Sequence, residues 1–439
     1  MKEVRCMSDI ESAFDPMTGI STKDAFYTKA RKLLDDNPDI EYDFITSDVE
    51  HFRVINDMYG YEKGDELIKY SAEMTQKECN ELGGICGIYF ADVIMTIVPH
   101  KEGLIHHIAQ RTAKNLESGP IKPAPLVKFG VYHIVDRALP ISAMYDRSKL
   151  ALNSISGSDI NNFAFFEERQ REEIIKERMI LSGIDNAIKN GEIVIYLQPK
   201  YSLTTRKITG AEALTRWISP ENEFISPADF IPVLEKRGRI FTLDLFVWEQ
   251  ACKVIRAWID NDLPIVPISV NVSRIDLEDP HFDSRFMALI DTYKIPAKYL
   301  ILELTETAYT DLNEYQINFI ESLRSRGFRV EMDDFGSGYS SLNMLKDFYI
   351  DDLKIDLNFL TGIGENMRGE KILRLVIDLA VDLDLGVVAE GVEEAYQADF
   401  LEEIGCETAQ GYYFARPMPL KEFEKLLTED YKRSSSHIE

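Results

Sequence analysis

The sequence predicts an α/β protein: a C-terminal (β/α)8 barrel of TIM-like form, preceded by a smaller α/β domain. Three observations carry this expectation. Between Ile193 and Leu427, eight short apolar runs alternate with helix-like stretches. Ahead of them, from Asp15 to Phe166, helical and strand-like segments alternate over about 150 residues, enough for a separate domain. The chain has 439 residues, 45% of them hydrophobic and 28% charged, which suits two domains with cores of their own.

Each element follows from local pattern. In the first region FYTKARKLLDD, GDELIKYSAEMTQKE and GLIHHIAQRTAKNLE place apolar residues at helical spacing, whereas YDFITSDV, GIYFADVIMTIV and LVKFGVYHIV read as strands. The polar, turn-rich SISGSDINN closes this domain, residues 1–166. EERQREEIIKERMILSGIDNAIKNGE then reads as a connecting helix with a solvated face, residues 167–190. The eight runs occupy residues 191–430: IVIYLQP, ITGAEALTRW, IVPISVNVS, YLILELTE, FRVEMDDFG, DDLKID, LGVVAEGVE and TAQGYYFARP. Several are almost continuously apolar, as strands covered on both faces must be. A polar tail ending KRSSSHIE fills 431–439.

Composition narrows the function. Lys and Arg number 49 against 75 Asp and Glu, a formal charge of −26. Binding to DNA, RNA or an anionic membrane needs a basic footprint, so those classes are excluded as general modes. The five cysteines are scattered with no C-x-x-C pair, the pattern of reduced thiols in a cytoplasmic protein. No run approaches the length of a membrane span or a signal peptide, so no membrane insertion is expected.

The eight runs end alike, each passing into a polar or charged residue. In order these are Gln198, Glu212, Asn271, Glu303 with Glu306, Asp333 and Asp334, Lys354, Glu390 with Glu393, and Gln410. Strand C-termini of such a barrel form one face, so these residues are expected to converge on one mouth. Carboxylates so crowded either protonate or bind cations. An all-oxygen set suits Mg2+ or Mn2+ rather than zinc, and the adjacent Asp333–Asp334 pair suits a two-ion site. His281 and His437, the histidines of this half, fall in none of the runs, which argues against a zinc–histidine centre or a Ser-His-Asp triad.

These residues and their motifs resemble the EAL-domain phosphodiesterases that hydrolyse cyclic di-GMP. The resemblance rests on GAEALTRW with Glu212-Ala213-Leu214, YLQP, SVNVS, ELTE, DDFGSGYSSL, LKID, AEGVE and QGYYFARP, over about 250 residues, the span of one barrel. It implies that Glu212, Asn271, Glu303 and Asp333 hold one ion and that Asp333, Asp334 and Glu390 hold a second, with Lys354 beside the attacking water. Ions so paired acidify water and offset charge on the phosphoryl oxygens. Glu212, Asp333, Lys354 and Glu390 are then the catalytic set. Arg216 takes a substrate phosphate; Gln198, Leu214, Asn271, Asp334, Glu393 and Gln410 face the nucleotide. The resemblance further implies the product pGpG, one antiparallel barrel strand, and a homodimer formed through the barrel domain. It also implies a mobile loop at Phe335-Gly336-Ser337-Gly338-Tyr339, anchored by Glu306. Alternatives are a non-catalytic cyclic di-GMP receptor or signalling scaffold, and a glycosidase using paired carboxylates.

The first domain resembles a degenerate GGDEF (diguanylate cyclase) domain. DPMTGI and SDVEHFRVINDMYGYEKGDELI carry the likeness, with Asp48 at a metal position and Asn56 and Asp65 at guanine-contacting positions. Phe90-Ala91-Asp92-Val93-Ile94 stands where the signature belongs, and Glu81 and Gly84 stand where an inhibitory RxxD would be. Without the two glycines the backbone cannot approach a nucleotide as closely, and Val93 cannot replace a carboxylate. The resemblance thus implies an inactive regulatory or dimerisation domain, with GTP binding at Asp48, Asn56 and Asp65 left open. GIGENMRG is not a dinucleotide fingerprint, and His106-His107 lacks partners at metal-binding spacing.

Overall fold

The computed structural model describes residues 13–158, 161–310, 312–335, 350–356 and 367–435, and the chain divides into two units, Met1–Lys176 and Glu177–Glu439. In the first unit, strand β1 (Tyr42–Val49) lies at the centre of a five-stranded sheet. With β2 (Ile85–Phe90), β3 (Val93–Pro99), β4 (Val127–His133) and β5 (Phe163–Phe165), the order is β2-β3-β1-β4-β5, antiparallel except for β4–β5. Side chains alternate across β1, so both faces need cover. Phe44 packs with Phe26 and Leu34 of α1 (Lys23–Asp36), whereas Ile45 joins the core on the opposite face. Beyond α2 (Phe52–Tyr59), helices α3 (Tyr61–Leu82) and α4 (Leu104–Leu116) supply Ile68, Ala72, Ile105 and Ile108 to the Ile45 face. Helix α5 (Ile141–Ser154), unforeseen in the sequence, supplies Ile141 and Met144 to the Phe44 face.

One expectation is corrected here. GIYFADVIMTIV is a hairpin of β2 and β3 rather than a single strand, turning at Ala91 and Asp92 with Ala91 in left-handed backbone, φ 51°. The connecting helix α6 (Glu168–Asn190) forms as predicted, but its second half is no solvated linker. Ile180, Ile184 and Ala187 are buried with Trp217, Phe230 and Leu234.

The second unit closes eight strands into a ring. They are β6 (Ile193–Ser202), β7 (Ile208–Ile218), β9 (Ile268–Asn271), β10 (Leu300–Thr305), β11 (Arg329–Phe335), β12 (Asp352–Ile355), β13 (Gly386–Ala389) and β14 (Thr408–Ala409). Short β8 (Phe224–Ile225) and β15 (Met418–Pro419) flank it. Six of the eight junctions are parallel; β6 runs antiparallel to both of its ring neighbours, β7 and β14. Outside lie α7 (Pro227–Lys236), α8 (Ile240–Asp260), α9 (Arg274–Glu278), α10 (Phe282–Tyr293), α11 (Glu306–Thr310), α12 (Glu314–Ser325), α13 (Met367–Asp382), α14 (Ala395–Glu403) and α15 (Leu420–Ser435). Trp248, Phe286, Ile320, Leu373, Leu401 and Phe423 pack from these helices onto Ile268, Leu302, Val330, Leu353 and Ala389 of the strands.

Two sequence expectations shorten. Of TAQGYYFARP, Thr408 and Ala409 join the ladder. Helix α15 continues through Ser435, so Tyr431–Ser435 is helical rather than a loose tail. Gly336–Tyr339, with the expected loop, and most of GIGENMRG lie outside the described residues. Among the described residues no helix is long and apolar enough to cross a membrane.

Candidate active site

The parallel strands bring their carboxyl ends to one mouth, as their ladder registers show. Glu212 sits opposite Ser269, Glu303 opposite Asn271, and Thr305 opposite Asp333. Gln198 reaches this level by a different route from the one expected. Its strand β6 runs the other way, so Gln198 is not at a converging end; cross-strand register with Glu212 places it there. The rest of β6 then descends into the barrel.

Lys354 is the centre of the site. It is 1% exposed, with Nζ 2.8 Å from Glu390, 3.1 Å from Glu303, 3.2 Å from Glu212 and 3.3 Å from Asp333. Burial opposes its charge, but these four carboxylates outweigh that and hold its pKa well above the ordinary lysine value. A second lysine, Lys200, lies deeper. Its Nζ donates to Ser269 Oγ at 2.8 Å, Glu303 Oε1 at 2.9 Å and Glu331 Oε2 at 2.6 Å. Glu303 therefore bridges the two ammonium groups, one through each oxygen. Burial would raise its pKa, yet Lys200 and Lys354 reverse this and keep it well below the usual carboxylate range.

The other carboxyls go the opposite way. Burial, reinforced by neighbouring anions, raises Glu212, Asp333 and Asp334, and raises Glu331 and Glu390 to about 8. Among the described residues two lysines cannot balance six such groups, so the site either retains protons or takes up cations.

A local irregularity makes the acidic doublet usable. Consecutive strand residues point to opposite faces, which would separate Asp333 from Asp334. Strand β11 breaks register between Met332 and Phe335, and Asp334 adopts left-handed backbone, φ 58°. That bulge turns the second carboxylate back toward the first. One oxygen each from Asp333, Asp334 and Glu390 then lies within 4.8 Å of the others, a candidate acidic metal site. The donors are all oxygen, as Mg2+ or Mn2+ prefers.

Gln410 supports the cluster from behind. Its Nε2 donates to Glu212 Oε2 at 2.6 Å and Gln198 Oε1 at 3.1 Å, and Gln198 Nε2 donates to the Ala415 carbonyl. In front, a cavity of about 400 Å3 is lined by Leu214, Arg216, Asn271, Asp333 and Asp334. Arg216 donates to the Thr215 carbonyl at 2.8 Å and lies 5.6 Å from the Tyr196 ring centroid. Asn271 is exposed at the end of β9, its backbone carbonyl accepting from Trp248 Nε1. Glu306 is buried in the first turn of α11, while Glu393 is exposed and its backbone N–H is bound by Gln397 Oε1.

The sequence reading did not single out Lys200 or Glu331. The signal was present: every second strand residue faces inward, so Lys200 shares a face with Gln198 and Glu331 with Asp333. In the first unit, Phe90-Ala91-Asp92-Val93-Ile94 forms the β2–β3 turn, with Phe90 76% exposed. Asp92 accepts from the Val49 N–H and is raised to about 7, by burial and then by neighbouring Asp48. Asp48 is in turn bound by Lys149 Nζ at 2.5 Å.

Comparison with known proteins agrees with both halves. The EAL domain model matches residues 182–417, and the model described as diguanylate cyclase, GGDEF domain, matches residues 12–156. The chain belongs to the EAL domain family and carries a GGDEF domain ahead of the EAL domain. It is 28% identical over 427 residues to the signaling protein YkoW of Bacillus subtilis, covering 95% of this chain and 53% of that protein. It is 36% identical over 285 residues to the probable cyclic di-GMP phosphodiesterase PdeI of Escherichia coli, covering 64% of this chain and 36% of that one. A solved structure titled PaMucR phosphodiesterase, c-di-GMP complex, matches with a TM-score of 0.53 and 31% identity, over 56% of this chain and 99% of that one. The chain spans about half the length of the curated relatives it matches.

Proposed function

We propose that this chain is a divalent-metal-dependent phosphodiesterase that hydrolyses cyclic di-GMP to linear pGpG. The observation that carries the proposal is the crowded set of buried carboxyls around Lys354, opening onto a cavity lined by an arginine. The relative PdeI and the PaMucR complex support the substrate by what their names say of them.

Glu212, Asn271, Glu303 and Asp333 would hold one ion and Asp333, Asp334 and Glu390 a second. Such a pair supplies Lewis-acid stabilisation and a more acidic water. The chain's own residues do the rest. Gln410 and Gln198 fix the rotamer of Glu212; Lys354 positions its ammonium beside the water. Arg216, held here by a single backbone carbonyl, is free to offer its guanidinium fork to a phosphate, and Leu214 packs against the nucleotide. A homodimer through the EAL domain belongs to the same reading.

The test is incubation of purified protein with cyclic di-GMP and Mg2+ or Mn2+, with and without chelator, following pGpG by chromatography. Product that disappears on chelation is the expected result. Tight binding without turnover would favour a receptor instead.

The raised carboxyls give a second expectation. Glu331 and Glu390 hold protons up to about pH 8, against an ordinary value of 4.5. The folded state therefore binds more protons than the unfolded chain between these limits, and stability falls as pH rises through them. Glu303 acts oppositely, but only below its ordinary value, in acid. In chelator, thermal melts should show Tm decreasing from pH 5 to pH 8, with a shallower decline in Mn2+. A flat or rising Tm would contradict the crowding.

For the first domain we propose that cyclase activity is lost. Exposed Phe90 and half-buried Ala91 replace the glycines, and Val93 supplies no carboxylate. Asp48 is tied to Lys149, and Asn56 turns its buried Oδ1 against Gly64, where a Cβ would lie 1.9 Å away. Both features weigh against GTP contacts at Asp48, Asn56 and exposed Asp65, so we read the domain as regulatory.

A further inference from the structure

We propose that Asp43, His100 and His133 form a second metal site in the first unit, suited to Zn2+ and independent of the carboxylate cluster in the barrel. The three residues share one face of the sheet because of strand register. Asp43, at the start of β1, sits opposite both Val98 of β3 and His133 of β4. His100 lies two residues beyond Val98 and so returns to the same face. Backbone bonds fix the positions: the His100 N–H donates to the Glu41 carbonyl at 2.8 Å, and the Ile134 N–H to the Tyr42 carbonyl at 2.9 Å.

The ligand atoms already converge. His100 Nδ1 lies 3.0 and 2.9 Å from the two oxygens of Asp43, and His133 Nδ1 lies 3.0 Å from Oδ1. One atom from each residue falls within 4.8 Å of the other two. Tetrahedral zinc with bonds of about 2.0–2.1 Å separates its ligands by roughly 3.3 Å, so each histidine–aspartate pair needs only a few tenths of an ångström of expansion. The rings meet edge to face, centroids 4.5 Å apart, and both Nδ1 atoms reach the same carboxylate.

Exposure completes the pattern. The Asp43 side chain is 7% exposed, whereas the His100 and His133 rings are 34% and 37% exposed. A buried carboxylate thus anchors the site, and the imidazoles leave its outer side open to water or to a fourth ligand. Two nitrogens and one oxygen select zinc or a neighbouring transition metal over Mg2+, while the all-oxygen barrel cluster selects the reverse. The two sites therefore sort different metals within one chain. An ion here would pin β1, β3 and β4 together at the end of the sheet opposite the Phe90–Val93 hairpin.

The experiment uses the full chain carrying Glu212→Gln, Asp333→Asn and Glu390→Gln, which removes ligands from both ion positions proposed in the barrel. Titration with Zn2+ against a competing chelator should reveal one equivalent bound. Adding His100→Gln and His133→Gln should weaken it by more than the ~10–100-fold seen when a ligand's supporting partner is removed. Circular dichroism checks the fold of these variants. X-ray absorption at the zinc edge of the histidine-intact protein should show two imidazoles, a reading that needs no histidine variant. Undiminished affinity without the histidines, a zinc edge with oxygen neighbours alone, or no uptake at all would show a hydrogen-bonded trio only and overturn the proposal.

Discussion

Glu212→Ala is expected to abolish turnover of cyclic di-GMP while the protein stays folded. Glu212 is 5% exposed, lies 3.2 Å from Lys354 Nζ, and accepts from Gln410 at 2.6 Å. In its proposed role as an ion ligand it has no substitute at the next two positions of β7, where Ala213 is buried in the hydrophobic core and Leu214 bears no donor. The loss should therefore exceed the ~10–100-fold that follows removal of a group merely supporting a ligand. The fold should survive for an electrostatic reason. Burial and neighbouring Glu303 raise the pKa of Glu212, so its removal relieves repulsion as well as breaking a hydrogen bond. Glu212→Gln, which keeps the volume and a partner for Gln410, should be equally inactive. Near-normal turnover in either variant, measured as pGpG release, would sink the assignment.

Lys200→Met is expected to destabilise the barrel by about 3–5 kcal/mol near pH 8, because it strips a buried ion pair of its cation. Lys200 is 4% exposed, and its ammonium holds Glu303 and Glu331 together. With Met in its place the two carboxyls face each other, and the cheapest relief is for Glu331 to keep its proton. The penalty should therefore shrink toward pH 6, where that proton is readily available. Adding Glu331→Gln should recover part of the stability at pH 8. Urea midpoints at an unchanged m-value would measure all three proteins. A pH-independent loss would mean that the lysine acts through packing alone.

The barrel was legible because eight buried strands leave eight apolar runs, and most site residues were legible because they stand where those runs end. Strand direction was not, since an inward–outward pattern of period two reads the same both ways. Only the family resemblance pointed to an antiparallel strand. Lys200 and Glu331 escaped because attention stopped at strand ends, whereas charge also lies two residues deeper. Asp334 shows the opposite case. Alternation would have sent it away from Asp333, and the left-handed residue that brings it back is an aspartate, which carries no glycine to announce the turn. Nothing in the sequence relates His100 to His133, because their meeting depends on register across three strands. The β2–β3 hairpin was hidden by a turn made of Ala91 and Asp92, neither of them glycine or proline.

The eighth strand has one more consequence. Thr408 and Ala409 join β13 and β6 by two residue pairs on each side, and Gln410, which orients Glu212, follows immediately. Few bonds need break for this short segment to fray, far fewer than for global unfolding. Warming should therefore unlatch Glu212 while the surrounding scaffold still holds, so heat inactivation should set in reversibly, several degrees before the protein melts.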